Sequence, residues 1–146
     1  MNALSVHVVT STGGVWCGSV SEDVTLFEAA GGEGFFVRLV EVFYGGVAHD
    51  PVLRPLYPDA DLAGAKHRLA TFLMQYWGGP RTYLEERGHP MLRKRHFPFP
   101  IGPAERDRWL VHMATAVEAE APTPEIAQQL MAYFVPAAEH LRNDTG

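Results

Sequence analysis

The sequence predicts a single all-α domain behind a short leader. Three observations carry this. Apolar residues recur at intervals of three and four in separate stretches, glycine and proline punctuate the chain between them, and no segment after residue 23 alternates with period two. At 146 residues with 47% hydrophobic content, the chain can bury a core without disulfides or structural zinc.

Residues 1–23, MNALSVHVVTSTGGVWCGSVSED, contain no Lys or Arg, and Ser, Thr and Gly interrupt their apolar residues. A secretory signal needs a positive start and a continuous apolar centre, so this stretch reads instead as a mobile leader ahead of a domain over 24–146. The pieces SVHVV and VWCGSV flank a glycine-containing turn, which leaves a weak hairpin as the other reading. Residues 24–30 then form a short lead-in helix, closed by Gly31 and Gly32. Over 33–48, Phe36, Leu39, Val40, Phe43 and Val47 share one helix face with Tyr44 beside it, predicting a core-facing helix. Asp50-Pro51 is an N-cap followed by a first-turn proline, and Pro55 and Pro58 stop that helix almost at once, leaving Tyr57 in a tight corner.

A second amphipathic helix spans 61–77, with Ala65, Leu69, Phe72, Leu73 and Tyr76 on one stripe and Lys66, His67 and Arg68 off it. Gly78, Gly79 and Pro80 end it. A loop through Gly88 leads to a helix of about two turns over 90–97. Gly102-Pro103-Ala104-Glu105 opens the next helix, whose apolar set is Trp109, Leu110, Met113, Ala116 and Val117. Thr123-Pro124-Glu125 opens the last, with Ile126, Leu130, Tyr133, Phe134, Ala137 and Leu141 inward.

Composition narrows the function classes. A formal net charge of -5 provides no overall positive field to draw the chain to nucleic acid. No run approaches the about 18 uninterrupted apolar residues of a spanning helix, so no membrane partner is expected. The single cysteine, Cys17, rules out an internal disulfide framework and any CxxC motif, which suits a cytoplasmic protein. There is no HExxH or clustered Cys/His pattern for zinc, and Gly13-Gly14 and Gly31-Gly32 lack the GxGxxG context of a nucleotide loop.

The most informative segment is 76–99, YWGGPRTYLEERGHPMLRKRHFPF. A Trp-Gly-Gly-Pro break follows an apolar helix, Gly88-His89-Pro90 follows a loop, and His96 stands after Arg93, Lys94 and Arg95 and before Phe97-Pro98. This pattern resembles the group II truncated haemoglobins, and the likeness runs from Phe27 to about Leu141. The resemblance implies the two-over-two globin fold, in which two pairs of antiparallel helices sandwich haem b. It also implies that His96 is the proximal iron ligand, a role for which a neutral imidazole is chemically suited. The three cations before His96 have a second reading as favourable partners of a helix C-terminus.

Carried onto this sequence, the family pattern puts Tyr44, Tyr57 and Trp109 on the opposite side of the haem. Each can donate a hydrogen bond, and dioxygen held by haem carries partial negative charge that such donors favour. Read from the residues alone, Tyr44 and Trp109 are first of all ordinary amphipathic core residues whose polar atoms find backbone partners. Ala65 and Leu69 would form the distal gate and wall, and Phe72, Leu73, Phe97, Phe99, Met113 and Phe134 a porphyrin slot or simply a core. Arg68, Arg93 and Arg95 are the candidate propionate partners. His67 reads as solvated, His89 as a loop contact and His112 as a residue at the pocket edge. The resemblance implies dioxygen binding or transport, with nitric oxide oxidation or peroxide chemistry if an external reductase supplies electrons. The alternative is a ligand sensor or storage protein without turnover. Oligomeric state is open, a homodimer included.

Overall fold

A computed structural model of the chain describes residues 5–6, 24–58 and 62–143. Apart from residues 5–6, the leader lies outside the described residues. Ser5–Val6 (β1) pairs antiparallel with Val24–Thr25 (β2), Ser5 opposite Thr25 and Val6 opposite Val24. Residues 24–25 are therefore strand where a helix was expected. The lead-in helix α1 is Leu26–Ala30, capped where the Thr25 hydroxyl accepts the Glu28 N–H.

Four longer helices make the frame: α2 (Gly32–Val47), α3 (Ala63–Tyr76), α6 (Pro103–Glu120) and α7 (Pro124–His140). Between the second and third of these lie α4 (Thr82–Arg87) and α5 (Leu92–His96). Helix α2 packs on α3 and on α6, and α6 packs on α7, which is the two-over-two arrangement. The expected inward sets hold in α2 and α7: Phe36, Leu39, Val40, Phe43 and Val47 are buried in the first, Ile126, Leu130 and Phe134 in the second.

Trp77 is the largest fully buried side chain and the hub of an aromatic cluster, with ring centroids 6.0 Å from Phe36, 5.2 Å from Tyr133 and 5.7 Å from Phe134. The glycines after it explain how it gets there. Gly78 has φ +96, which a side chain disfavours, and a Cβ on Gly79 would lie 2.5 Å from the Phe27 ring. Without those side chains the chain turns directly under α1, where Phe27 N–H donates to Trp77 O at 3.0 Å.

The main departure from expectation is α4, a helix where a loop was predicted. Thr82–Arg87 is too short for a periodic signal and buries only Tyr83. The Leu84 N–H donates to Gln75 Oε1 at 2.8 Å, tying the helix to α3, and Gly88, at φ +78, ends it. The segment 90–97 is helical only over Leu92–His96, because Met91 takes a left-handed conformation, φ +44.

Candidate functional site

A cavity of about 440 Å³ lies between the helix pairs. Its volume falls within the range of cofactor and ligand sites. Helices α2 and α6 contribute Tyr44 and Trp109, the corner after α2 contributes Tyr57, α3 contributes Ala65, Arg68, Leu69, Phe72 and Leu73, and α7 contributes Phe134. The far wall is made by Arg95, His96 and Phe99.

His96 is partly buried, and its Nδ1 lies 2.6 Å from the Leu92 carbonyl one turn earlier. A carbonyl only accepts, so Nδ1 carries a proton, and in the neutral ring Nε2 keeps its lone pair. This is the tautomer that a metal-ligating imidazole requires, held by its own helix.

Above α3, Tyr44 and Tyr57 meet edge to face with centroids 5.5 Å apart, and their phenols are hydrogen-bonded to each other. Burial, then the adjacent Tyr57, pushes the Tyr44 phenol well above its ordinary pKa, with the Arg68 charge opposing. Burial also raises Tyr57, against its bond to Tyr44 and the same arginine. Both keep their protons at neutral pH; Tyr44 directs its O–H at the Tyr57 oxygen, which leaves the Tyr57 O–H free to donate. Trp109 packs 5.1 Å from Phe43 and 5.6 Å from Phe134. Its indole N–H meets no acceptor among the described residues.

Three expected residues stand off the cavity. Met113 is fully buried elsewhere in the core. Phe97 is 63% exposed, its ring 5.9 Å from the Arg93 guanidinium carbon. Arg93 is exposed and donates to the carbonyls of His140, the last residue of α7, and Arg142 just beyond it. In their place the sequence reading missed Arg87 and Arg106, both cavity-lining. Arg87 was hidden because it closes the unrecognised α4, and Arg106 because its ion pair with Glu139 reaches across from α6 to α7. Arg95 does line the cavity, and it also organises the bend before His96. Its Nε donates to Pro90 O at 2.7 Å, and one terminal nitrogen donates to Arg87 O and His89 O. These bonds hold the strained Met91 turn and leave the other terminal nitrogen for an anion.

A second polar centre lay unrecognised at the α2–α6 junction. Asp50, with its side chain fully buried, accepts from Val52 and Leu53 N–H on Oδ1. Oδ2 accepts from Arg108 at 2.9 Å and His112 at 2.6 Å. Burial alone would raise this carboxyl's pKa. The bonds from His112, Val52 N–H, Arg108 and Leu53 N–H outweigh it and hold the group well below the usual carboxylate range. Gly46 makes the close approach possible, since a Cβ there would lie 2.3 Å from His112 Nδ1.

No group of three or more His, Cys, Asp or Glu able to hold a bare metal ion occurs among the described residues, and none of their helices is long and apolar enough to cross a membrane. A two-over-two helical sandwich closed round an apolar cavity, with one oriented imidazole in its wall, defines a haem globin of the shortened type. The bacterial-like globin family matches residues 25–143. The group 2 truncated hemoglobin YjbI of Bacillus subtilis is 42% identical over 114 residues, covering 78% of this chain and 86% of that protein. The solved thermostable hemoglobin of Thermobifida fusca superposes with a TM-score of 0.80 at 59% identity, over 82% of this chain and 98% of that one. The group II truncated hemoglobin of Bacillus anthracis gives a TM-score of 0.80 at 40% identity, over 84% and 99%. This chain therefore belongs to the bacterial-like globins, as a group II truncated haemoglobin. Membership implies haem-based binding of diatomic ligands.

Proposed function

We propose that the chain binds haem b through Nε2 of His96 and takes dioxygen beside Tyr44, Tyr57 and Trp109, working in the cytoplasm. The observation that carries this reading is the Nδ1 contact with Leu92 O, which leaves the imidazole of a cavity-lining residue with one available nitrogen. The residues fit the group in other respects too. The slot is walled by Ala65, Leu69, Phe72, Leu73, Phe99 and Phe134, and Arg68, Arg87, Arg95 and Arg106 stand at it to meet carboxylates.

Haem, when bound, would supply the iron chemistry that takes diatomic gases and polarises dioxygen. The chain does the rest. His96 would hold the cofactor, the apolar wall excludes water, and the small Ala65 leaves ligand hydrogen bonding to the Tyr57 phenol, itself oriented by Tyr44, and the Trp109 indole. Nitric oxide oxidation or peroxide turnover would draw electrons from an external reductase. Measuring autoxidation, nitric oxide consumption and peroxide turnover on one sample separates such catalysis from storage or sensing.

The test of the ligand assignment is His96→Gly. The variant should retain haem weakly and recover its spectrum with added imidazole. Its folded state should also lose several kcal/mol of the stabilisation that a tightly bound ligand provides, roughly RT ln(1 + [L]/Kd). An unchanged spectrum and unchanged haem retention would remove His96 from the role.

A further inference from the structure

Helix α5 has five residues and buries none of them. Its apolar anchoring is limited to Leu92, which packs part-buried against the core, although the helix ends on His96. Hydrogen bonds supply the rest of the constraint, and most of those beyond the preceding bend come from the far end of the chain. Asn143, the third residue beyond α7, directs four of them at residues 96–101. Its backbone N–H donates to Ile101 O and its Oδ1 accepts from Ile101 N–H, each at 2.9 Å. Its Nδ2 donates to His96 O at 3.2 Å and Phe99 O at 2.9 Å. The side-chain amide is thereby used on both its oxygen and its nitrogen. From the other side, Arg93 reaches the carbonyls of His140, at 2.5 Å, and Arg142, at 3.1 Å, that the helix end leaves open.

We infer that Asn143 is a positioning residue for His96: it straps the C-terminus over the 96–101 segment and thereby sets the orientation and strength of the imidazole's bond to iron. The inference rests on His96 being the iron ligand. Only asparagine suits the geometry. Aspartate lacks the donor, glutamine adds a methylene to a closed set of contacts, and alanine has neither donor nor acceptor.

The experiment uses the full-length, haem-loaded ferrous protein and the variants Asn143→Ala and Asn143→Asp. It reads the iron–histidine stretching band by resonance Raman and the rate of haem transfer to an excess of an apo-globin. Asn143→Asp keeps the acceptor for Ile101 N–H, so it remains informative if Asn143→Ala folds poorly. Both variants should displace or split the band, and haem transfer should quicken about tenfold or more, in keeping with the loss of two side-chain hydrogen bonds in Asn143→Asp and three in Asn143→Ala. His96→Gly serves as the reference. A band that survives there refutes the ligand assignment itself. A band that vanishes there yet stays unmoved in both Asn143 variants overturns the strap alone, even if haem transfer quickens, because faster loss follows from any loosening of the fold.

Discussion

Replacing Trp109 with phenylalanine isolates one hydrogen-bond donor at the cavity. The aromatic contacts to Phe43 and Phe134, at 5.1 and 5.6 Å, are with a ring that phenylalanine largely preserves. What disappears is the indole N–H, which has no acceptor among the described residues and is therefore available to a ligand. A hydrogen bond to a charged group contributes about 1.5 to 3 kcal/mol, and one to a neutral group nearer 1 kcal/mol. At about 1.4 kcal/mol per decade, dioxygen should dissociate roughly ten- to a hundredfold faster, with most of the affinity change on the dissociation rate. Carbon monoxide, the less polarised ligand, should dissociate at most about fivefold faster on the same arithmetic. Tyr57→Phe should act in the same direction, and less than additively with Trp109→Phe if both donors meet one ligand atom. Stopped-flow dissociation of both gases from single and double variants is the assay. Equal factors for the two gases would mean that these residues act through shape, and the hydrogen-bonding argument would fail.

Two further outcomes follow from other parts of the molecule. Asp50→Ala strands Arg108 and His112 and two backbone N–H groups. Removing one partner of a buried ion pair costs about 3 to 5 kcal/mol, and the lower end applies because Arg108 and His112 are 47% and 16% exposed. The folded-state pKa of Asp50 is depressed, so its contribution is fully present above the unfolded value near 4 and is lost as pH falls through the folded value. In urea titrations the gap between parent and variant should hold at neutral pH and shrink below about pH 4, and a gap that widens on acidification would contradict this sign. A chain beginning at Ser21 loses the Ser5–Val6 strand and should keep the haem spectrum and a dioxygen affinity within about tenfold, roughly 1.4 kcal/mol. A larger shift would show that the leader controls access to the cavity.

Periodicity revealed the helices whose one face is buried over several turns, which is why α2, α3, α6 and α7 were legible. It could not reveal α4, whose six residues bury a single tyrosine and whose place is set by Gln75 from another helix. His96, Tyr44, Tyr57 and Trp109 were read from motif and resemblance, and all four line the cavity. The choice among neighbouring cations was harder. Arg93 and Arg95 are two apart on one short helix and so face nearly opposite ways, one to the end of α7 and the other to the cavity wall, and the run of cations itself does not say which is which. Asp50 with His112 and Asn143 with His96 were invisible for a different reason. Each is a polar contact between distant parts of the chain, and a single such contact leaves no repeating trace.

Those two long-range contacts divide the site between them. Asp50 begins the corner that carries Tyr57, its own carbonyl accepting the Arg54 N–H at 2.8 Å, while Arg54 in turn donates to Tyr57 O at 2.7 Å. On α6 the same carboxylate grips Arg108 and His112, which bracket Trp109. One buried charge thus sets the spacing between two donors that come from different elements, and burial makes that spacing stiff, because a displaced carboxylate would lose hydrogen bonds in a place water does not reach. His96 answers to other anchors: Leu92 O for its tautomer, Arg95 for the bend before it and Asn143 for the chain after it. The placement of Tyr57 and Trp109 and that of the imidazole are therefore held by separate sets of hydrogen bonds, so that, on the function proposed above, ligand discrimination and the iron–histidine bond would be altered one at a time.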